Sequence, residues 1–103
     1  MNRVIEQHLH RLTELCRKYD VRRLDLFGSA VRDDFDQEHQ SDLDFLVEFN
    51  NFTIYNAADR YFNFLSDLES LFGRKIDLVS DRAIRNPYFR KAVDEERLNL
   101  YAA

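Results

Sequence analysis

The sequence predicts an α/β (α+β) fold in which a small mixed β-sheet is flanked by helices. Two stretches with helical spacing of apolar residues, short strand-like runs between them, and the order in which they alternate lead to that class. With 103 residues, 45% hydrophobic and 14% aromatic, and only 2 Gly and 1 Pro, the chain has the material for one cored domain, read as residues 1–103.

Val4, Ile5, His8, Leu9, Leu12, Leu15, Cys16 and Tyr19 recur at three- and four-residue intervals, predicting an amphipathic helix over residues 2–19. His8 and His10 stand two apart and diverge on such a helix, so they make no metal pair. Residues 23–27 alternate and stop at Gly28-Ser29, as a short strand ending in a turn would. Residues 32–41 are polar and acidic, and predict a helical turn followed by an exposed loop. Residues 43–49, Leu-Asp-Phe-Leu-Val-Glu-Phe, favour a strand. Apolar residues at helical spacing fill 55–72, and Gly73 stands at the expected cap. Residues 75–80 form a third strand. Asn86-Pro87 is a good helix start, because Asn caps backbone N–H groups and Pro has none to lose at the first position. That helix is expected to reach about Glu96, with residues 97–101 as a fourth, edge strand.

Fifteen basic residues against nineteen acidic give a net charge of −4, which argues against strong direct nucleic-acid binding. One cysteine, Cys16, excludes an internal disulfide, suits a reducing compartment, and falls on the apolar stripe as a core residue. No leader pattern and no apolar run of bilayer length are seen, so a soluble, cytoplasmic protein without membrane contact is expected.

The chemistry concentrates in three places. Asp42 and Asp44 are two apart at the start of a strand, so both carboxylates share one face while Leu43 and Phe45 face the core. Alone, such a pair is usually just solvated. Asp77 adds a carboxylate inside the apolar run Lys-Ile-Asp-Leu-Val, where a buried charge would need a partner. Gly28-Ser29 offers close backbone approach and a hydroxyl for phosphate oxygens, although an isolated Gly-Ser is ordinarily only a turn. Together they explain one another: crowded carboxylates favour a hard divalent cation completed by water and phosphate oxygens.

Leu26-Phe27-Gly28-Ser29-Ala30-Val31-Arg32, Ser41-Asp42-Leu43-Asp44-Phe45-Leu46-Val47 and Lys75-Ile76-Asp77-Leu78-Val79 resemble the nucleotidyltransferase fold of the polymerase-beta superfamily. The short length, the Arg85-Asn86-Pro87 helix start and the closing strand are similar to its minimal nucleotidyltransferase (MNT) antitoxin branch, whose partners are HEPN ribonuclease toxins. Twelve residues separate Ser29 from Asp42, a longer spacing than the family's usual one, and the extra residues fall in the acidic stretch.

The resemblance implies transfer of AMP from ATP to a tyrosine hydroxyl of a cognate HEPN toxin, within a hetero-oligomer. Asp42 and Asp44 would hold one Mg2+, and with Asp77 a second. Asp77 would act as general base. Gly28 and Ser29 would position phosphate oxygens, and Arg32 either clamps the triphosphate or lies solvated on the surface. Two rival readings are a stoichiometric antitoxin acting by binding alone and transfer to a small molecule. Tyr88 and Phe89 would serve the former as an interface, although core packing is their more ordinary role.

Overall fold

The computed structural model describes residues 2–32, 42–51, 53 and 55–103. Helices α1 (Arg3–Gln7) and α2 (Leu9–Lys18) lead into β1 (Val21–Phe27), and a 3-10 turn at Gly28–Ala30 follows. Then come β2 (Leu43–Phe49), α3 (Ala57–Phe72), β3 (Ile76–Ser80), a second 3-10 turn at Asp81–Ala83, α4 (Pro87–Glu96) and β4 (Leu98–Ala102). The strands form one mixed sheet in the order β3-β2-β1-β4. β1 runs antiparallel to β2 and β4, whereas β2 and β3 are parallel. A parallel pair needs a long crossover, which α3 supplies.

The elements follow their local chemistry. Asn86 Oδ1 accepts from the N–H groups of Tyr88 and Phe89, and Pro87 opens α4. Gly73 closes α3 with a left-handed φ of 62°. The first helix differs from the sequence expectation, because residues 2–19 divide into α1 and α2 at His8. The His8 N–H turns to the Ile5 carbonyl, while its ring Nδ1 lies 2.9 Å from the Val4 carbonyl that an unbroken helix would give to the N–H. The 3-10 turn at Gly28–Ala30 precedes the stretch where a helical turn and loop are expected, residues 32–41, all of which but Arg32 lies outside the described residues.

One sheet face carries the main core. Leu24, Leu26, Leu43, Phe45 and Val47 are fully buried there, together with Ile5, Leu12 and Cys16 from the first two helices and Phe64 and Leu68 from α3. Each such aliphatic or aromatic side chain contributes roughly 1.5–3 kcal/mol by leaving water. Burial pushes the Cys16 thiol up to about 12, so this cysteine is an unreactive core group.

The opposite face is only partly covered. Phe27, Leu46 and Val93 form a small apolar cluster with Val79 and Ile84, which seats α4 across the sheet. Beside it, the fully buried Asp25 accepts from Arg97 Nε, from Arg23 Nε at 3.1 Å and from Asn99 Nδ2 at 2.8 Å. Burial alone would raise the Asp25 pKa, but these donors outweigh it and hold the carboxyl below its usual range. Near Phe27 this half-covered face ends in polar groups.

Candidate active site

The geometry starts at the end of β1. Phe27 is the register partner of Asp44 on β2, so the next residue, Gly28, lies beside that carboxylate. Gly28 has a φ of 74°, and a Cβ built on it would fall 2.1 Å from Asp44 Oδ2. Only glycine satisfies both the left-handed backbone and the close approach.

Across the sheet, Asp44 is paired in register with Asp77 on parallel β3. Paired residues of a parallel ladder project to the same face, and the two carboxyl groups are within hydrogen-bond reach of each other. Leu43 and Phe45 are fully buried on the other face, as the alternation predicted. Asp42 precedes β2 and is exposed, with Lys75 Nζ 3.9 Å from its Oδ2. Asp77 departs from expectation: its strand lies at the sheet edge and its side chain is exposed, so burial does not demand a partner for it. Its link to the site is the register with Asp44.

These carboxylates repel one another. Burial, the charge and hydrogen bond of Asp77, and the charge of Asp42 push the Asp44 carboxyl up to about 6, against an opposing pull from Arg32. A cation beside Asp44 would relieve that repulsion. Mg2+ takes one or two carboxylates and completes its shell with water and phosphate oxygens, so the donor set fits it. Among the described residues, no three His, Cys, Asp or Glu side chains converge closely enough to enclose an ion by themselves.

The Gly28–Ala30 turn carries Ser29, half-buried, one residue beyond the glycine. Arg32 lies close enough to act on Asp44 electrostatically, and its guanidinium donates to Glu96 Oε2 at 3.0 Å. Glu96 Oε1 accepts the Gly28 N–H at 2.9 Å. Gly28, Ser29, Arg32, Asp44 and Asp77 are thus gathered at one end of the sheet, with Asp42 at its margin.

Glu96 escaped the sequence reading. It stands in the charged run Asp94-Glu95-Glu96-Arg97, where nothing distinguishes one carboxylate from the next, and its backbone contact is 68 residues away. Tyr88 and Phe89 are not core residues as expected: they are 84% and 41% exposed on α4. Phe89 packs edge-on against Phe27, with ring centroids 6.2 Å apart, which sets this aromatic pair next to the carboxylates. No described helix is long and apolar enough to cross a membrane.

Comparison with known proteins bears on this arrangement. A family model described as a nucleotidyltransferase domain matches residues 11–100. Two Methanocaldococcus jannaschii proteins, each named "Putative protein adenylyltransferase", are both 37% identical to this chain. One aligns over 79 residues, covering 77% of this chain and 76% of its own; the other aligns over 95, covering 90% and 87%. Among solved structures, a "putative minimal nucleotidyltransferase" superposes with a TM-score of 0.74 at 28% identity, covering 91% of this chain and 90% of its own. A toxin-antitoxin complex with AMP-PNP gives a TM-score of 0.71 at 18% identity, covering 92% and 73%. A tri-AMPylated Shewanella oneidensis HEPN toxin in complex with MNT antitoxin gives 0.67 at 17% identity, covering 95% and 72%. These last two likenesses are of fold.

Proposed function

Because this chain belongs to the nucleotidyltransferase domain family, we propose that it is a protein adenylyltransferase that moves AMP from ATP to a tyrosine hydroxyl of a HEPN-type toxin partner, and so neutralises that toxin. One observation carries the reading: Asp44 and Asp77 stand side by side on adjacent strands, and Asp44 lies directly against a glycine turn whose backbone leaves no room for a Cβ. Relatives named for protein adenylyltransfer, at 37% identity over most of their length, support the reaction class. Fold neighbours in toxin-antitoxin complexes, one of them holding an AMPylated toxin, support the partner.

In this reading Ser29 and the turn hold the triphosphate oxygens, and Arg32 adds a cation beside them. Asp42, Asp44 and Asp77 would hold Mg2+, which when bound would offset the triphosphate charge and lower the pKa of the acceptor hydroxyl. The acceptor hydroxyl oxygen attacks the α-phosphorus in line. A new P–O bond forms, the bond from that phosphorus to the α,β-bridging oxygen breaks, and pyrophosphate leaves. Asp77, exposed at the sheet edge and open to a protein surface, takes the hydroxyl proton. Most of the catalytic effect then comes from alignment and charge, as in phosphoryl transfer generally.

The test is to incubate the protein with Mg2+, ATP and the product of its neighbouring gene, then weigh that product. A gain of one or more AMP masses on tyrosine is expected. An unmodified partner that has nonetheless lost its ribonuclease activity would contradict the proposal.

A second reading rests on Tyr88 and Phe89, both exposed on α4, of which Phe89 packs against Phe27 at the end of β1. Neutralisation by occlusion alone would use such an aromatic surface without any transfer. The double substitution Asp42→Asn, Asp44→Asn separates the two, since full protection by that variant favours occlusion and lost protection favours transfer.

A further inference from the structure

We propose that Glu96, the last residue of α4, is a positioning residue that aims the nucleotide-binding turn, by holding the Gly28 backbone and the Arg32 side chain with the two oxygens of one carboxylate. The inference rests on the reading of Gly28–Arg32 as the turn that receives the triphosphate.

Sheet geometry shows why a side chain is needed there. The last β1–β4 pair toward the site is Leu26 with Leu98. Two residues further, the antiparallel ladder would set Gly28 opposite Glu96, but at Glu96 the chain is still helical. The Gly28 N–H finds the Glu96 carboxylate instead, at 2.9 Å. The backbone of a left-handed glycine is otherwise the most pliable point of the turn. Fastening its N–H fixes the direction in which Ser29 leaves the strand.

The second oxygen fixes a charge. Glu96 Oε2 receives Arg32 Nη1 at 3.0 Å, and the Arg32 N–H donates to the Gly28 carbonyl at 3.3 Å, so both ends of this arginine are tied to the turn. Glu96 thereby keeps a cation at the mouth of a site that must receive a triphosphate. The glutamate is also locally unfavourable where it stands. It ends a helix whose last turn has no basic residue, at the terminus where the helix dipole disfavours negative charge. With its side chain only 26% exposed and both oxygens engaged, it is more than a solvated surface charge.

Mg-ATP binding to the whole chain, followed by titration calorimetry, tests this. Glu96→Gln keeps the shape and one acceptor for Gly28 but loses the charge that holds Arg32, so Mg-ATP affinity should fall about tenfold. Arg32→Gln should lower it comparably. The double variant should be little weaker than either single one, because both disturb one unit. A merely structural Glu96 would lower the unfolding temperature without this coupling, so thermal unfolding is recorded for every variant. Unchanged affinity in Glu96→Gln, or losses that multiply in the double variant, would overturn the positioning role alone. Failure of the unaltered protein to bind Mg-ATP would overturn both this role and the nucleotide reading of the turn.

Discussion

Gly28 and Asp44 are in direct contact where β1 gives way to its turn: a Cβ on Gly28 would lie 2.1 Å from Asp44 Oδ2. The glycine is therefore part of the shape of the carboxylate site. Gly28→Ala must strain a backbone with φ of 74° and push Asp44 aside. A stability loss of about 1–3 kcal/mol is expected from such strain. Displacement of the carboxylate by about 1 Å should reduce AMP transfer about a hundredfold. Thermal unfolding and transfer rates on the same sample check both effects.

Asp44 should be held in the fold at a cost in stability. Its carboxyl sits at about 6 against an ordinary 3.8, chiefly through burial and then the neighbouring Asp77 and Asp42. A carboxyl raised in the folded state stabilises most when protonated, below the ordinary value, and loses that stability as the pH climbs through about 6. Asp44→Asn should therefore stabilise the protein at pH 8 in a chelator, by about 1 kcal/mol after allowing for solvent screening. The unfolding midpoint should rise by several degrees while transfer is abolished. An unchanged or lower midpoint at pH 8 would contradict this balance.

Asp25 should act in the opposite direction. Its carboxyl is buried, yet Asn99, Arg97 and Arg23 hold it below the usual carboxylate range. Its contribution is complete above the unfolded value and disappears as the pH falls through the lower folded value. Urea midpoints measured downward from pH 7 should thus show an acid-sensitive component that Asp25→Asn lacks. Asp25→Ala at neutral pH should cost about 1–3 kcal/mol, because Arg97 Nε and Asn99 Nδ2 lose their buried acceptor while Asp94 and Asp81 still face the Arg97 guanidinium.

Much of this could be read from the chain alone. Alternation placed Leu43 and Phe45 in the core and set the Asp44 carboxylate on the other face, because a strand has only two faces. Asn86-Pro87 and Gly73 marked helix ends through purely local chemistry. What stayed hidden depends on contacts distant in sequence or on a single competing bond. The break at His8 turns on one ring nitrogen near the Val4 carbonyl. The exposure of Asp77 depends on its strand being an edge, which its own residues do not reveal. Asp25 looked like an alternating polar position, and its burial depends on Arg97 and Asn99, 72 and 74 residues away, together with the nearby Arg23. Glu96 was invisible for the same reason.

The central claim is that a nucleotidyl group, and not a terminal phosphate, leaves ATP at the Gly28–Asp44–Asp77 site. The most direct measurement compares ATP labelled at the α-phosphorus with ATP labelled at the γ-phosphorus, each incubated with the protein, Mg2+ and the neighbouring gene product. The α-label alone should become covalently attached to the partner, and Asp44→Asn should abolish the attachment. Attachment of γ-label, or α-label transfer that survives Asp44→Asn, would contradict it.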